Sequence, residues 1–360
     1  VTRWVRRTRA ALVRRGYICY RLLQMKFWIQ RAFAALLLLL FAGFAALNGL
    51  AYRHVRAMTH YATGGARTAK PESLSPFSKL CVLFAGVNLP RPEDERPPAV
   101  LASNAYALAI DVPGGIKLSA WHAQCRDDAP LVIFFHGYGN DKTRLLTEAR
   151  NILAMGASVL LVDFRGSGGS SENYATLGAL EAEDVVASVR YARDHLVQAS
   201  PGIILYGQSM GSAAILRAIH EYGVHPDGVI LESVFDTLLG TIRNRFGSMG
   251  VPSFPAAELM TFWGGRQFGF NGFAHNPVDY AESLECRALF LHGADDPRAT
   301  LAEGRRVFDA APCRRKRFVV FENAGHESYA AKWPDQWRNA VWPFILRYLE
   351  PDLAPENDSP

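Results

Sequence analysis

Residues 202–211 read GIILYGQSMG: a short apolar run of strand length breaks into G-x-S-x-G and then opens a helical stretch over 210–222. Gly207 and Gly211 flank Ser209 by two positions on either side, so the chain can turn sharply where side chains would collide. Such a turn lifts the serine to the N-terminal end of the following helix. There the helix dipole and free N–H groups favour developing negative charge. A bare G-x-S-x-G is common by chance. The strand before it and the helix after it give it weight, and they mark Ser209 as a candidate nucleophile.

Working outward from this turn, the same rhythm repeats. Short apolar runs, each followed by Gly-rich turn chemistry, stand at LVIFF (131–135), SVLLV (158–162), GVIL (228–231), ALFL (288–291) and RFVVF (317–321). Continuous apolar runs of this length suit strands buried on both faces, as in a parallel sheet. Two alternating segments, 104–111 and 116–122, joined through Pro113-Gly114-Gly115, predict an antiparallel hairpin ahead of them. Helices are expected at 178–198, with Glu181, Glu183 and Asp184 in its first turns, and at 210–222, ended by Gly223. Strands alternating with helices argue for a mostly parallel, doubly wound α/β sheet. The alternation breaks once, between Leu231 and Ala288, over far more residues than a connection needs. Seven aromatics fall within 246–274, interleaved with Gly and Pro, against 11 % over the chain. That composition predicts an inserted cap at about 236–282 roofing the site.

A serine hydroxyl needs a base to take its proton. The loop after RFVVF holds His326 and the loop after ALFL holds His292, Asp295 and Asp296. Loops that follow parallel strands gather at the carboxyl edge of the sheet, where Ser209 also sits, so these groups can meet despite their sequence separation. His326 is the expected base, and His292, which precedes a Gly at a strand end, reads as structural. Asp295, Asp296 and, more remotely, Glu232 remain open as the acid.

The stretch 131–330 resembles the α/β-hydrolase superfamily, especially its small membrane-anchored serine hydrolases. The resemblance is carried by HGYGN (136–140), DFRGSGGS (163–170), GQSMG (207–211), NPVDY (276–280), HGADD (292–296) and AGHES (324–328). It implies the order Ser209, Asp296, His326 for a catalytic triad, the acid lying three residues after the Gly of the His-Gly pair. It also implies an oxyanion hole built from the backbone amides of Tyr138 and Met210. Asn140 and Asp141 could pin that loop, and Asp163 and Arg165 read as loop architecture. The activity implied is cleavage of an ester or thioester through an acyl-enzyme, on an acyl or lipid-like substrate. A peptidase or acyltransferase could use the same parts. A catalytically silent, membrane-tethered interaction protein is the alternative from a different class.

The formal net charge is +5, but residues 1–31 carry nine basic side chains and no acid, so the rest of the chain sums to −4. A nucleic-acid reader needs a basic face on its folded part, which argues against that class. Residues 32–52 are uncharged and, at about 1.5 Å per residue, long enough to cross a bilayer. The basic leader places the N-terminus in the cytoplasm and the main body on the far side, as an uncleaved signal anchor. A cleaved signal peptide would have a shorter apolar core and a briefer leader. The expected organisation is a basic tail (1–31), the anchor (32–52), a stalk (53–103) that includes the proline-rich run 90–98, the hydrolase domain (104–350) and a short tail (351–360). The five cysteines, Cys19, Cys81, Cys125, Cys286 and Cys313, form no metal-ligand spacing, and disulfide pairing among the last four stays open. The glycines of GSGG (166–169) lack dinucleotide spacing. No metal, cofactor or nucleotide is expected.

Overall fold

The computed structural model describes residues 2–69, 73–93, 96–197 and 202–349. The tail expected from residue 351, residue 198 of the expected helix, and residues 94 and 95 of the proline-rich run lie outside them. The chain divides into two compact units, one up to Ala51 and one from Tyr52 onward. In chain order the helices and strands are α1 (Thr2–Thr59), α2 (Pro76–Ala85), β1 (Tyr106–Val112), β2 (Ile116–Ala123), β3 (Leu131–Phe135), α3 (Leu146–Ala154), β4 (Ser158–Val162), α4 (Glu181–His195), β5 (Ile203–Gln208), α5 (Met210–Tyr222), β6 (Gly228–Glu232), α6 (Leu238–Met249), α7 (Ala256–Phe268), α8 (Pro277–Tyr280), β7 (Arg287–Gly293), α9 (Leu301–Ala310), β8 (Lys316–Phe321), α10 (Tyr329–Lys332) and α11 (Pro334–Leu349).

The eight strands form one sheet in the order β1-β2-β4-β3-β5-β6-β7-β8. The pairs β1–β2 and β2–β4 are antiparallel, and every pair from β4 to β8 is parallel. The apolar runs are continuous because helices cover both faces. Leu131, Ile133 and Phe135 of β3 point into a core shared with α4 and α5, while Val132 and Phe134 point into one shared with α3 and α11. The chain steps from β3 to β4 on one side, then to β5 on the other, so the strand order reverses at β3. In open α/β sheets a crevice opens at the carboxyl ends of strands beside such a reversal.

Helix α4 begins at Glu181, later than the spacing predicts. The Glu181 carboxylate accepts the N–H groups of Thr176 (2.7 Å) and Gly178 (2.9 Å), tying up the preceding residues as a loop. Leu177 and Gly178 have positive φ, which helix does not allow. Helix α5 ends at Gly223 in the left-handed conformation, as the sequence predicts.

Tyr20–Thr59 of α1 contains an apolar window long enough to cross a membrane. Within the segment 53–103, expected as a stalk, Tyr61 and Arg67 bond to loops of the sheet. Tyr61 N–H donates to Asn173 O (3.1 Å), Ala62 bridges to Pro90, and Arg67 Nη1 donates to Gly139 O (2.8 Å). Cys81, Cys125, Cys286 and Cys313 are free thiols.

Candidate active site

Ser209 occupies the turn between β5 and α5 with φ 54° and ψ −109°, a conformation L-residues avoid. The two flanking glycines explain how the turn closes. A Cβ on Gly211 would run into the Phe135 carbonyl of β3, and one on Gly207 into the backbone of Gly211 and Ser212. Ser209 N–H donates to Glu232 O at 2.7 Å, fixing the turn against β6.

His326 lies in the loop after β8. Its Nδ1 is 2.7 Å from Oδ2 of Asp296, in the loop after β7. The other oxygen, Oδ1, accepts the backbone N–H groups of Arg298 (2.9 Å) and Ala299 (3.1 Å). Burial alone would raise the Asp296 pKa. The His326 charge and hydrogen bond and the two N–H donors outweigh it, leaving the carboxyl below its usual value. Asp295 is exposed. Glu232 is buried elsewhere, accepting from Tyr206 Oη (2.5 Å) and Gln208 Nε2 (2.6 Å). Burial, and then the charge of Glu148, push its pKa up to about 8. His292 is buried, with Nε2 2.8 Å from Ala299 O, and so braces the loop that carries Asp296.

The loop after β3 brings Gly137 and Tyr138 to the same cavity as Ser209, Met210 and His326, a space of about 440 Å³. A chain of buried contacts supports this loop. His136 Nε2 accepts Phe164 N–H (3.1 Å) and its Nδ1 lies 2.9 Å from Gly137 O, so those partners assign the proton to Nδ1. Asp163 accepts Lys142 N–H at 2.7 Å and pairs with Lys142 Nζ at 2.5 Å. Asn140 Nδ2 donates to Tyr138 O (3.3 Å), and Asp141 Oδ1 accepts Thr143 N–H (2.8 Å), ordering the following turn. Arg67, Arg144, Arg245 and Arg298 also line the cavity.

One positioning residue escaped the sequence reading. Tyr329 Oη accepts Gly293 N–H (2.7 Å), bonds Ser233 Oγ (2.7 Å) and donates to Gly325 O (3.3 Å). A single phenol thereby ties together the loop after β6, the end of β7 and the loop after β8. Its only sequence signal is its place three residues after His326, which by itself says nothing of three partners.

Residues 127–235 match the family described as serine aminopeptidase, S33. An esterase of Pyrococcus furiosus superposes with a TM-score of 0.62 at 24 % identity, over 72 % of this chain and 97 % of that one. The chain has the α/β-hydrolase fold. By sequence, it is similar to the uncharacterized protein YqkD of Bacillus subtilis, at 23 % identity over 66 % of this chain and 78 % of that protein. It is also similar to a lysophosphatidylserine lipase of Bos taurus, at 25 % identity over 61 % of this chain and 55 % of the lipase. The chain carries its candidate groups on the loops after β3, β5, β7 and β8, and α6, α7 and α8 lie between β6 and β7.

Proposed function

We propose that this chain is a membrane-anchored serine hydrolase that cleaves a carboxylic ester or thioester through an acyl-enzyme on Ser209. The observation that carries the reading is the 2.7 Å Asp296–His326 pair opening onto the cavity that Ser209 lines. His326 Nε2 takes the Ser209 hydroxyl proton as Oγ bonds the acyl carbon. The resulting oxyanion is held by the amides of Tyr138 and Met210, each such donor being worth about 2.7–4 kcal/mol in the transition state. Collapse breaks the bond to the alcohol or thiol, which leaves with the proton from His326. Water, deprotonated by His326, then attacks the acyl carbon and frees Ser209. The apolar window in Tyr20–Thr59 and the basic leader before it support an anchor with a cytoplasmic N-terminus and an extracytoplasmic domain.

A fluorophosphonate probe tests this directly. Wild type is expected to label, and Ser209→Ala to lose all labelling while remaining folded. No labelling of the wild type would favour the catalytically silent, membrane-tethered alternative.

The four arginines that line the cavity favour a substrate carrying a negative charge. At low salt, para-nitrophenyl hemisuccinate is expected to exceed para-nitrophenyl butyrate in kcat/KM by about tenfold, narrowing toward parity at high salt. Equal values at low salt would remove charge selection from the reading.

A further inference from the structure

Helix α2 is built the wrong way round for water. Its sequence is PFSKLCVLFA, capped by Ser75 Oγ accepting Ser78 N–H (3.2 Å) and ended at Gly86. Phe77, Leu80 and Phe84 are 75 %, 51 % and 66 % exposed, with Cys81 exposed beside them. These positions, i, i+3, i+4 and i+7, form one stripe. The polar side chain turns the other way: Lys79 is half-buried, with Nζ donating to Met249 O at 2.9 Å. A helix on a water-facing surface keeps its apolar stripe for the core; α2 presents its own to the outside.

Two further observations say what covers it. A Cβ on Gly86, at the end of α2, would lie 3.5 Å from Ala57 Cβ, so this end of α2 rests on the last turns of α1. Those turns directly continue the helix whose apolar window is long enough to cross a bilayer. On its inner side, α2 lines a cavity through Val82, whose apolar wall is made with Met58 of α1, Phe246 and Met249 of α6 and Met260 of α7, and whose polar wall holds His54, Arg67, Arg245 and Arg298. This cavity shares Arg67, Tyr138 and Arg245 with the space lined by Ser209.

We propose that α2 is a second membrane contact: its outward stripe lies in the interface of the lipid bilayer, beside the point where α1 emerges. The apolar wall of the cavity behind α2 then receives the acyl chain of a bilayer amphiphile, guiding its ester toward Ser209. The docking stands on α2 alone; the delivery step rests on the proposed hydrolase function.

The full chain is reconstituted in phosphatidylcholine vesicles, with an environment-sensitive fluorophore at Cys81 or, as a control, at Cys125, the other accessible cysteines being serine. Doxyl-labelled phosphatidylcholine is expected to quench the Cys81 label at least about threefold more than the Cys125 label. Equal quenching at both sites overturns the proposal. So does a blue-shifted Cys81 label without doxyl quenching, which would mean a protein, such as a second copy, covers the stripe. Phe77→Asp/Phe84→Asp is expected to abolish the difference and to cut turnover of a long-chain ester in vesicles about tenfold. Its turnover of a soluble short-chain ester stays at the wild-type level, which also reports that the variant is folded. A wild type that turns over neither ester ends the hydrolase reading, while the quenching ratio still decides the docking.

Discussion

Replacing Asp296 with Asn is expected to lower kcat for a soluble ester about ten-thousand-fold, whereas Asp295→Asn leaves it within about twofold. The two residues are adjacent and chemically identical, so the contrast tests geometry alone. Oδ2 of Asp296 meets His326 Nδ1 at 2.7 Å, and Oδ1 accepts two backbone N–H groups. An Asn that keeps those backbone bonds must turn its NH₂ toward Nδ1. The imidazole then carries its proton on Nε2 and can no longer accept one there, as the proposed proton transfer from Ser209 requires. Because the Asp296 carboxyl is held below its usual value, it is ionised throughout the neutral range, as the proposed role beside His326 requires. Asp295 is exposed, and it contributes only its backbone N–H, to Ala324 O at 2.9 Å. Steady-state kinetics of both variants check the point. Equal losses, or no loss at Asp296, would mean that His326 is oriented by something else.

The strands were readable because burial on both faces leaves a distinctive trace. LVIFF and SVLLV coincide with β3 and β4 residue for residue, each alternating between two cores that both demand apolar side chains. The meeting of Ser209, Asp296 and His326 around one region follows from the parallel arrangement, which sends every strand-end loop to the same edge. What sequence could not show lies in contacts between distant loops. Arg67 reaches Gly139 across a separation of 72 residues. Tyr329 gathers two loops and a strand end through one hydroxyl. The start of α4 was misjudged for a local reason: helical spacing and early acids cannot reveal that the Glu181 side chain turns back to hold the preceding loop. The antiparallel pairing of β2 with β4, and the reversal at β3, likewise depend on tertiary packing that no apolar run encodes.

The second large effect concerns stability. Arg165→Met is expected to destabilise the hydrolase domain by about 3–5 kcal/mol, and to lower its apparent Tm by about 6–10 °C. Arg165 and Asp184 are both buried, at 2 % and 0 % side-chain exposure, with Nε and Nη2 donating to Oδ1 at 3.0 and 2.7 Å. Removing the guanidinium strands a carboxylate where water cannot reach it, which costs more than the ion pair contributes when intact. The Arg165 backbone N–H also donates to Asp184 Oδ2 (3.0 Å), so the acid must keep an acceptor. Arg165→Met/Asp184→Asn is therefore expected to recover much of the loss, since the amide removes the stranded charge and retains the backbone bond. Glu183, at 39 % exposure, also meets Arg165, but water screens that contact, and Glu183→Gln is expected to cost less than about 1 kcal/mol. The consequence reaches the site through chain continuity. Arg165 pins the β4 loop to α4, and the same loop carries Asp163, which holds Lys142 behind the Tyr138 turn. Thermal melts of the full chain in detergent separate the cases. If the single and double variants melt together, the loss comes from missing packing rather than from an unpaired charge.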